Sequence, residues 1–322
     1  MNKNTINFIE RKMQNHLTNA QMRALHEVLI ACNDHDSESK ELSNGKMLEL
    51  FLSAKRIEGC SERTIKYYNS TLIKMFNTID KSYDEIETSD LRTYLSNYEG
   101  NQKASKITMD NLRRIISSLF AWLETEDYIL KSPMKRIHKI KCPLTVKEAF
   151  SDEQLEKMRD NCDNLRDLAI IDFLASTGIR VGELVNLNIK DIDFLNRKCI
   201  VFGKGAKERP VYFDARTKIH LQKYLTSRKD SNDALFVTLD SPHDRLKIRG
   251  VEERLSQLGK KLNIEKVHPH RFRRTLATKA ISKGMPIEQV KVLLGHSQID
   301  TTLRYAIVDQ NNVQNGYALH LG

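Results

Sequence analysis

The sequence predicts a mainly α-helical protein with one small antiparallel β-sheet, and three observations predict it. Residues 41–130 place apolar side chains at helical spacing in four separate runs. Residues 191–213 break that rhythm with three short runs of strand character separated by turn residues. Between these regions, residues 131–147 carry six basic side chains, two prolines and no acid, a composition that separates two folding units. The expected architecture is an N-terminal helical bundle followed by a mixed α/β domain.

Residues 1–36 form an N-terminal extension of one or two polar helices, in which Leu17, Met22, Leu25, Val28 and Leu29 keep helical spacing. The run from Asp34 to Lys40 is polar and reads as a connection. Met47–Ala54 opens the bundle. Glu62–Ile79 follows behind Ser61, whose hydroxyl can accept from the orphan N–H groups of a first turn. A third helix, about 88–97, starts at Thr88-Ser89-Asp90. The fourth, about 105–125, carries Ile107, Leu112, Ile115, Ile116, Leu119, Phe120 and Leu123. Four such helices suit a small bundle. The basic stretch 131–147 (Lys131, Lys135, Arg136, Lys139, Lys141, Lys147) is a linker, either solvated or laid along a phosphate backbone. Ser151-Asp152-Glu153-Gln154 has the pattern of a capping box and opens helices that continue to about 187. Asp191–Phe194, Lys198–Phe202 and Arg209–Phe213 are the strands, joined by Leu195-Asn196-Arg197 and by Gly203-Lys204-Gly205-Ala206-Lys207. Helical patterns run from 214 to the end.

The 322 residues, 40% hydrophobic, suffice for two cores. Lys and Arg number 52 against 42 Asp and Glu, a formal charge of +10, and a balance of that sign favours a polyanionic partner. Five scattered cysteines (Cys32, Cys60, Cys142, Cys162, Cys199) fit neither a zinc pattern nor a disulfide framework, and are expected to be reduced packing groups of a cytoplasmic protein. No signal peptide and no apolar run near the length of a membrane span is found.

The chemistry concentrates in short motifs. In His270-Arg271-Phe272-Arg273, a His and an Arg three apart share a helical face and can reach one anion. Leu293-Leu294-Gly295-His296 is followed nine positions after its His by Tyr305. In Ser176-Thr177-Gly178-Ile179-Arg180-Val181-Gly182-Glu183, Gly178 permits a tight turn between helices and Arg180 stands at the start of the next. Arg180 there can fork onto a phosphate, or pair with Glu183 to hold the turn. Lys204 sits between two glycines at a hairpin tip, either solvated or able to reach a neighbouring groove and donate a proton. Taken together these groups supply phosphate donors, a proton acceptor and a nucleophile, the set that phosphoryl transfer without a metal requires. No acidic cluster for a metal accompanies them, and no nucleotide-binding glycine loop.

In order, Thr-Gly-Ile-Arg, Gly-Lys-Gly-x-Lys-x-Arg, His-x-x-Arg, Leu-Gly-His and a tyrosine nine residues later resemble the tyrosine recombinases of the phage integrase and Xer type, across about residues 41–310. The resemblance implies a helical core-binding domain over 41–130, of the SAM-like type, and a catalytic domain over 148–322 ending in an exchange segment. It implies that Arg180 and Arg273 clamp the scissile phosphate with His296 as a further donor, that Lys204 protonates the departing 5′ oxygen, that His270 takes the proton of Tyr305, the nucleophile, and that Glu183 supports the first arginine. Arg274 departs from the pattern, since the family often has a histidine there. Tyr317 is a second tyrosine near the end, at a spacing the family does not use.

The implied activity is site-specific cleavage and rejoining of double-stranded DNA through a 3′-phosphotyrosine, without cofactor or metal. The implied assembly is a clamp on the duplex, a dimer per site and a tetramer in synapsis, with the segment after Asp309 packing on a neighbour or folding back. Thr64, Lys66 and Tyr67 on one helix and Lys106, Asn111, Arg113 and Arg114 on another are candidate DNA contacts, as are Lys135, Arg136, Lys139 and Lys141, although solvated surfaces explain such residues too. Integration or excision of a mobile element or prophage is the first expectation, because the N-terminal extension departs from the minimal Xer layout. Xer-type chromosome-dimer resolution, DNA inversion, a catalytically silent DNA-binding relative and a relaxing topoisomerase are the alternatives.

Overall fold

A computed structural model describes residues 3–13, 17, 19–35, 43–142, 148–203, 208–295 and 303. The chain divides into two compact units, Met1–Leu144 and Thr145–Gly322. Among the described residues no helix is long and apolar enough to cross a membrane.

The first unit begins with α1 (Lys3–Met13) and α2 (Asn19–His35), followed by the four-helix core: α3 (Asn44–Ile57), α4 (Glu62–Ile79), α5 (Thr88–Gln102) and α6 (Lys106–Thr125). The serine hydroxyls of Ser43, Ser61 and Ser105 accept from the backbone N–H three residues on, fixing where α3, α4 and α6 begin. The apolar faces meet around Phe51, Leu72, Met75, Leu91, Ile116, Leu119 and Phe120, all buried. The predicted third helix runs on from 97 to Gln102, ending on Lys103 in the left-handed region.

The basic stretch behaves differently from a free linker. Pro133–Arg136 form a 3-10 turn, Met134 is buried, and Ile137 and Ile140 pack against the first unit's core. Thr88 donates to the Pro133 carbonyl at 2.8 Å, and the Ile140 N–H donates to the Asp110 carboxylate at 3.2 Å. Residues 131–142 are thus part of the first unit, because their apolar residues fall where the α6 face leaves room. That packing turns Arg136, His138, Lys139 and Lys141 to the surface. Residues 143–147 lie outside the described residues.

The second unit starts with α7 (Asp152–Asp160), opened by the capping box of Ser151 and Gln154, then α8 (Leu165–Thr177) and the short α9 (Val181–Asn186). The sheet has the order β1 (Ile192–Asp193), β2 (Lys198–Phe202), β3 (Glu208–Tyr212), all antiparallel, with Cys199 opposite Val211 and Phe202 opposite Glu208. Cys199, Val201 and Val211 face the core. Helices α10 (Ala215–Ser227), α11 (Ile248–Lys261), α12 (Pro269–Ser282) and α13 (Ile287–Leu294) complete the unit around Phe173, Phe236 and Phe272. Burial pushes the thiols of Cys162 and Cys199 up to about 12, so both are protonated packing groups.

One segment overturns the expectation of helix from 214 onward: residues 228–247 are irregular. Leu235, Phe236 and Val237 are buried in succession, which an extended chain achieves and one face of a helix does not. Their carbonyls and those nearby find arginine donors instead of a helical ladder: Arg228 donates to Asn232 and Ala234 at 2.6 Å, and Arg166 to Val237 at 3.0 Å.

Asp110 is the tie for the far end of the basic stretch. Replacing it with Ala removes its bond to the Ile140 N–H, worth about 1 kcal/mol or roughly fivefold more local opening, and also releases Arg113, which donates to the same carboxylate at 2.9 Å. Limited trypsin digestion is expected to cut after Lys139 and Lys141 correspondingly faster in Asp110→Ala; an unchanged rate speaks against the tie.

Candidate active site

The site is assembled where four helix ends meet, those of α8, α9, α12 and α13. Helix α8 terminates on Gly178, whose φ of 57° is in the left-handed region, and a Cβ there lies 2.8 Å from Leu276 Cδ2. The chain turns at once, and Arg180 becomes the N-cap of α9. Its backbone N–H donates to Glu183 Oε2 at 3.0 Å, and its Nη1 donates to Glu183 Oε1 at 2.8 Å. Of the two uses foreseen for Arg180, the pair with Glu183 is present and holds the turn, and the guanidinium stays one-third exposed at its end.

Helix α12 starts with Pro269 at its first position, where a missing N–H costs nothing. His270 lies on its first turn, exposed, and Arg273 one turn on, buried. Arg273 donates through Nη1 to the Gly178 carbonyl at 2.7 Å and through Nη2 to the Leu294 carbonyl. Arg271, between them, points into the core, its guanidinium 4.2 Å from the Phe150 ring centroid and bonded to the carbonyls of Glu265 and Ala149.

Helix α13 ends on Gly295, φ 63°. Three successive carbonyls at that end accept from three arginines: Leu293 from Arg209 Nε at 3.4 Å, Leu294 from Arg273, and Gly295 from Arg180 Nη2 at 2.8 Å. A helix C-terminus carries unpaired carbonyls and negative potential, so cations gather there naturally. The structure thus brings together Arg180, Glu183 and Arg273. His270 stands close enough for the charges of Arg273 and Arg180 to act on it. Lys204, His296 and Tyr305 lie outside the described residues, as does Tyr317.

Against this geometry, residues 148–312 match the phage integrase family and residues 47–130 match the phage integrase N-terminal SAM-like domain. The chain is 31% identical over 285 residues to tyrosine recombinase XerC of Staphylococcus aureus (strain JH9), covering 84% of this chain and 94% of that protein. It is 30% identical over 286 residues to the XerC of Staphylococcus epidermidis (strain ATCC 12228 / FDA PCI 1200), covering 84% and 96%. The chain belongs to the phage integrase family of tyrosine recombinases. In fold it is similar to XerH site-specific recombinase in a post-cleavage complex with palindromic difH substrate, TM-score 0.69 at 22% identity over 97% of this chain and 94% of that one. It is likewise similar to the Tn1549 transposon integrase with a circular intermediate DNA, TM-score 0.69 at 19% identity over 84% and 98%.

Within this tyrosine recombinase, Arg209 is the residue that sequence reasoning passed over. It closes the Gly-Lys-Gly-x-Lys-x-Arg motif, yet that motif reads as a solvated hairpin. In the fold Arg209 is buried and forks onto Glu183, Nη1 to Oε1 and Nη2 to Oε2, both at 2.8 Å. The signal was its place on β3: Cys199 faces the core, Val211 pairs with it, and Arg209 shares the Val211 face. Burial pushes the Glu183 carboxyl up, but the Arg209 fork and the two Arg180 donors outweigh it and hold the group below the usual carboxylate range.

The candidate DNA contacts of the first unit divide. Lys66, Arg114, Arg136, Lys139 and Lys141 are exposed. Lys106 pairs with Glu99 at 2.6 Å and Lys135 with Glu124 at 2.5 Å. Arg113 is turned onto Asp110 at 2.9 Å, in a half-buried position. These three cations already have protein partners.

Desolvation, then the charges of Arg273, Arg180 and Arg274, pushes His270 below the ordinary histidine value. The folded value thus lies under the unfolded one. Between the two the unfolded chain binds protons more readily, so acidification through that window costs stability, and at neutral pH the ring is neutral. An NMR titration is expected to find the His270 midpoint below 6.5, and to find it shifted upward in Arg274→Gln. A midpoint at or above the ordinary value contradicts the electrostatic picture.

Proposed function

We propose that the chain is a site-specific DNA recombinase, which cleaves and rejoins double-stranded DNA through a 3′-phosphotyrosine. The observation that carries this is the convergence of Arg180 and Arg273 on one helix end beside a neutral His270. On this reading the two guanidiniums hold the nonbridging oxygens of one phosphate, with His296 as a third donor. A free tyrosine titrates near 10 and is a poor nucleophile at neutral pH. His270 takes its proton as Tyr305 attacks phosphorus, and Lys204 gives a proton to the departing 5′ oxygen. Charge that builds on the nonbridging oxygens meets donors already in place, each worth about 2.7–4 kcal/mol. The phosphotyrosine ester conserves the energy of the broken bond, so religation needs no nucleotide.

The partner is duplex DNA at specific sites, engaged in the cytoplasm by a dimer per site and a tetramer in synapsis. The recombinase names of the relatives support that reading, as do the net charge of +10 and the exposed cations of residues 136–141. The first unit, with residues 41–130 as a core-binding domain, and the second, as the catalytic domain with a C-terminal exchange segment, divide the work. For the biological task, the extension was the reason to favour a mobile element. That reason loses force, because XerH matches 97% of this chain, too large a share to leave out the N-terminal helices. Xer-type resolution is accordingly the reading favoured here, and integration or excision the second.

The decisive experiment traps the purified chain covalently on genomic DNA and maps the adducts. A single chromosomal locus supports Xer-type resolution, and ends of a mobile element support integration. On the mapped duplex carrying a nick, Tyr305→Phe is expected to form no adduct while binding nearly unchanged; an adduct that persists removes Tyr305 as nucleophile. Lys204→Ala is expected to lose cleavage of ordinary DNA and regain it when a bridging 5′ sulfur replaces the leaving oxygen, since a thiolate departs without a proton. If sulfur brings no recovery, Lys204 is not the acid.

A further inference from the structure

Arg209 is buried on β3 and forks onto Glu183, and the proposed reaction gives it no role. Glu183 has four lone-pair positions, and all four are filled. Oε1 accepts from Arg180 Nη1 and Arg209 Nη1, and Oε2 from the Arg180 N–H and Arg209 Nη2. The carboxylate therefore cannot rotate while Arg209 is in place. Without the fork, two of the four positions empty and Glu183 is free to follow Arg180, and Arg180 to follow Glu183.

Charge adds a second effect. Glu183 beside Arg180 alone would cancel the charge meant for a phosphate. Arg209 neutralises Glu183 from the buried side, which leaves the charge of the more exposed Arg180 available. Stability by itself does not call for such a pair, since buried ion pairs are often replaced by apolar residues of like volume at no loss. The surrounding chain is also shaped to the guanidinium: a Cβ on Gly295 would lie 2.8 Å from Arg209 Cδ and 3.0 Å from its Nε. Arg209 thereby touches β3, the first turn of α9 through Glu183, and the end of α13 through the Leu293 carbonyl.

We infer that Arg209 is a positioning residue for phosphate activation, acting through Glu183 to aim and charge-balance Arg180. The inference rests on the recombinase reading above. The test uses the full chain and the nicked duplex on which it is trapped. Arg209→Lys keeps the charge but cannot fork onto both oxygens. It is expected to lower kcat for cleavage on the order of 10²-fold, the scale of a small misplacement of a catalytic group, with the Kd for DNA unchanged. In an Arg180→Ala background the same substitution is expected to change the residual rate by no more than about twofold, because the group it acts through is gone. An undiminished kcat in Arg209→Lys, or an equal loss in both backgrounds, overturns the inference; a purely structural role predicts the equal loss. Should lysine at 209 not fold, the pair Glu183→Gln with Arg209→Gln removes both charges together and is expected to show the same dependence on Arg180. The unsubstituted chain tests the underlying reading separately: no adduct there counts against recombination, whereas an adduct with an undiminished Arg209→Lys counts against Arg209 alone.

Discussion

The arginine cluster exists because one buried carboxylate and one helix terminus absorb its charge. Three guanidiniums within reach of the same few atoms repel one another, and burial strengthens that repulsion by removing water. Glu183 supplies a full negative charge between two of them. The end of α13 supplies about half a charge and three unpaired carbonyls, one for each arginine. Remove either and the remaining cations have no reason to stay gathered. The arginines have places to go only because α13 ends at Leu294 and α9 begins at Val181.

Both conditions come down to glycine. At Gly178 and Gly295 the backbone takes a positive φ that an L side chain rarely adopts. At each, the space a Cβ would occupy is already used, by Leu276 in one case and by Arg209 in the other. The first glycine lets α8 stop and offers its carbonyl to Arg273. The second lets α13 stop and leaves room for the buried arginine beneath. The turns of the Thr-Gly-Ile-Arg and Leu-Gly-His motifs are thus parts of the charge network and not only punctuation between helices.

What could be read from the sequence follows the same division. Arg180, Glu183, His270 and Arg273 were legible because each sits at a fixed step from a turn or cap, so local geometry sets its direction. Helices α3, α4 and α6 were legible because each carries an apolar stripe at helical spacing, and α4 also because Ser61 precedes it as a cap. Arg209 was not legible, since a charged residue at a strand start looks solvated until the partner buried opposite it is known, and Glu183 is 26 residues away in the chain. Arg113 misled in the opposite sense: a basic residue on a polar helix face looked free, yet Asp110 lies one turn before it and takes it. Residues 228–247 were read as helix because nothing local reveals that their carbonyls would be satisfied by Arg228 and Arg166. Arginine contacts are the common factor in these misreadings, distant in sequence for Arg209 and Arg166 and near for Arg113 and Arg228.

The electrostatics of His270 give the recombinase reading an internal timing. With no phosphate bound, desolvation and then the arginines beside the ring push it below the ordinary histidine value, so at neutral pH it holds no proton that it would first have to lose. A phosphodiester placed between Arg180 and Arg273 brings a negative charge into the same space. That charge offsets the repulsion felt by an imidazolium, and the proton affinity of His270 rises just when a proton must be accepted. On the recombinase reading the same guanidiniums would serve twice, as the donors that hold the phosphate and as part of the field that leaves the base unprotonated until the phosphate arrives. A carboxylate beside the histidine would not reverse its influence in this way. Coupling of substrate binding to base strength follows from where the positive charge sits, and that placement goes back to Glu183 and the end of α13.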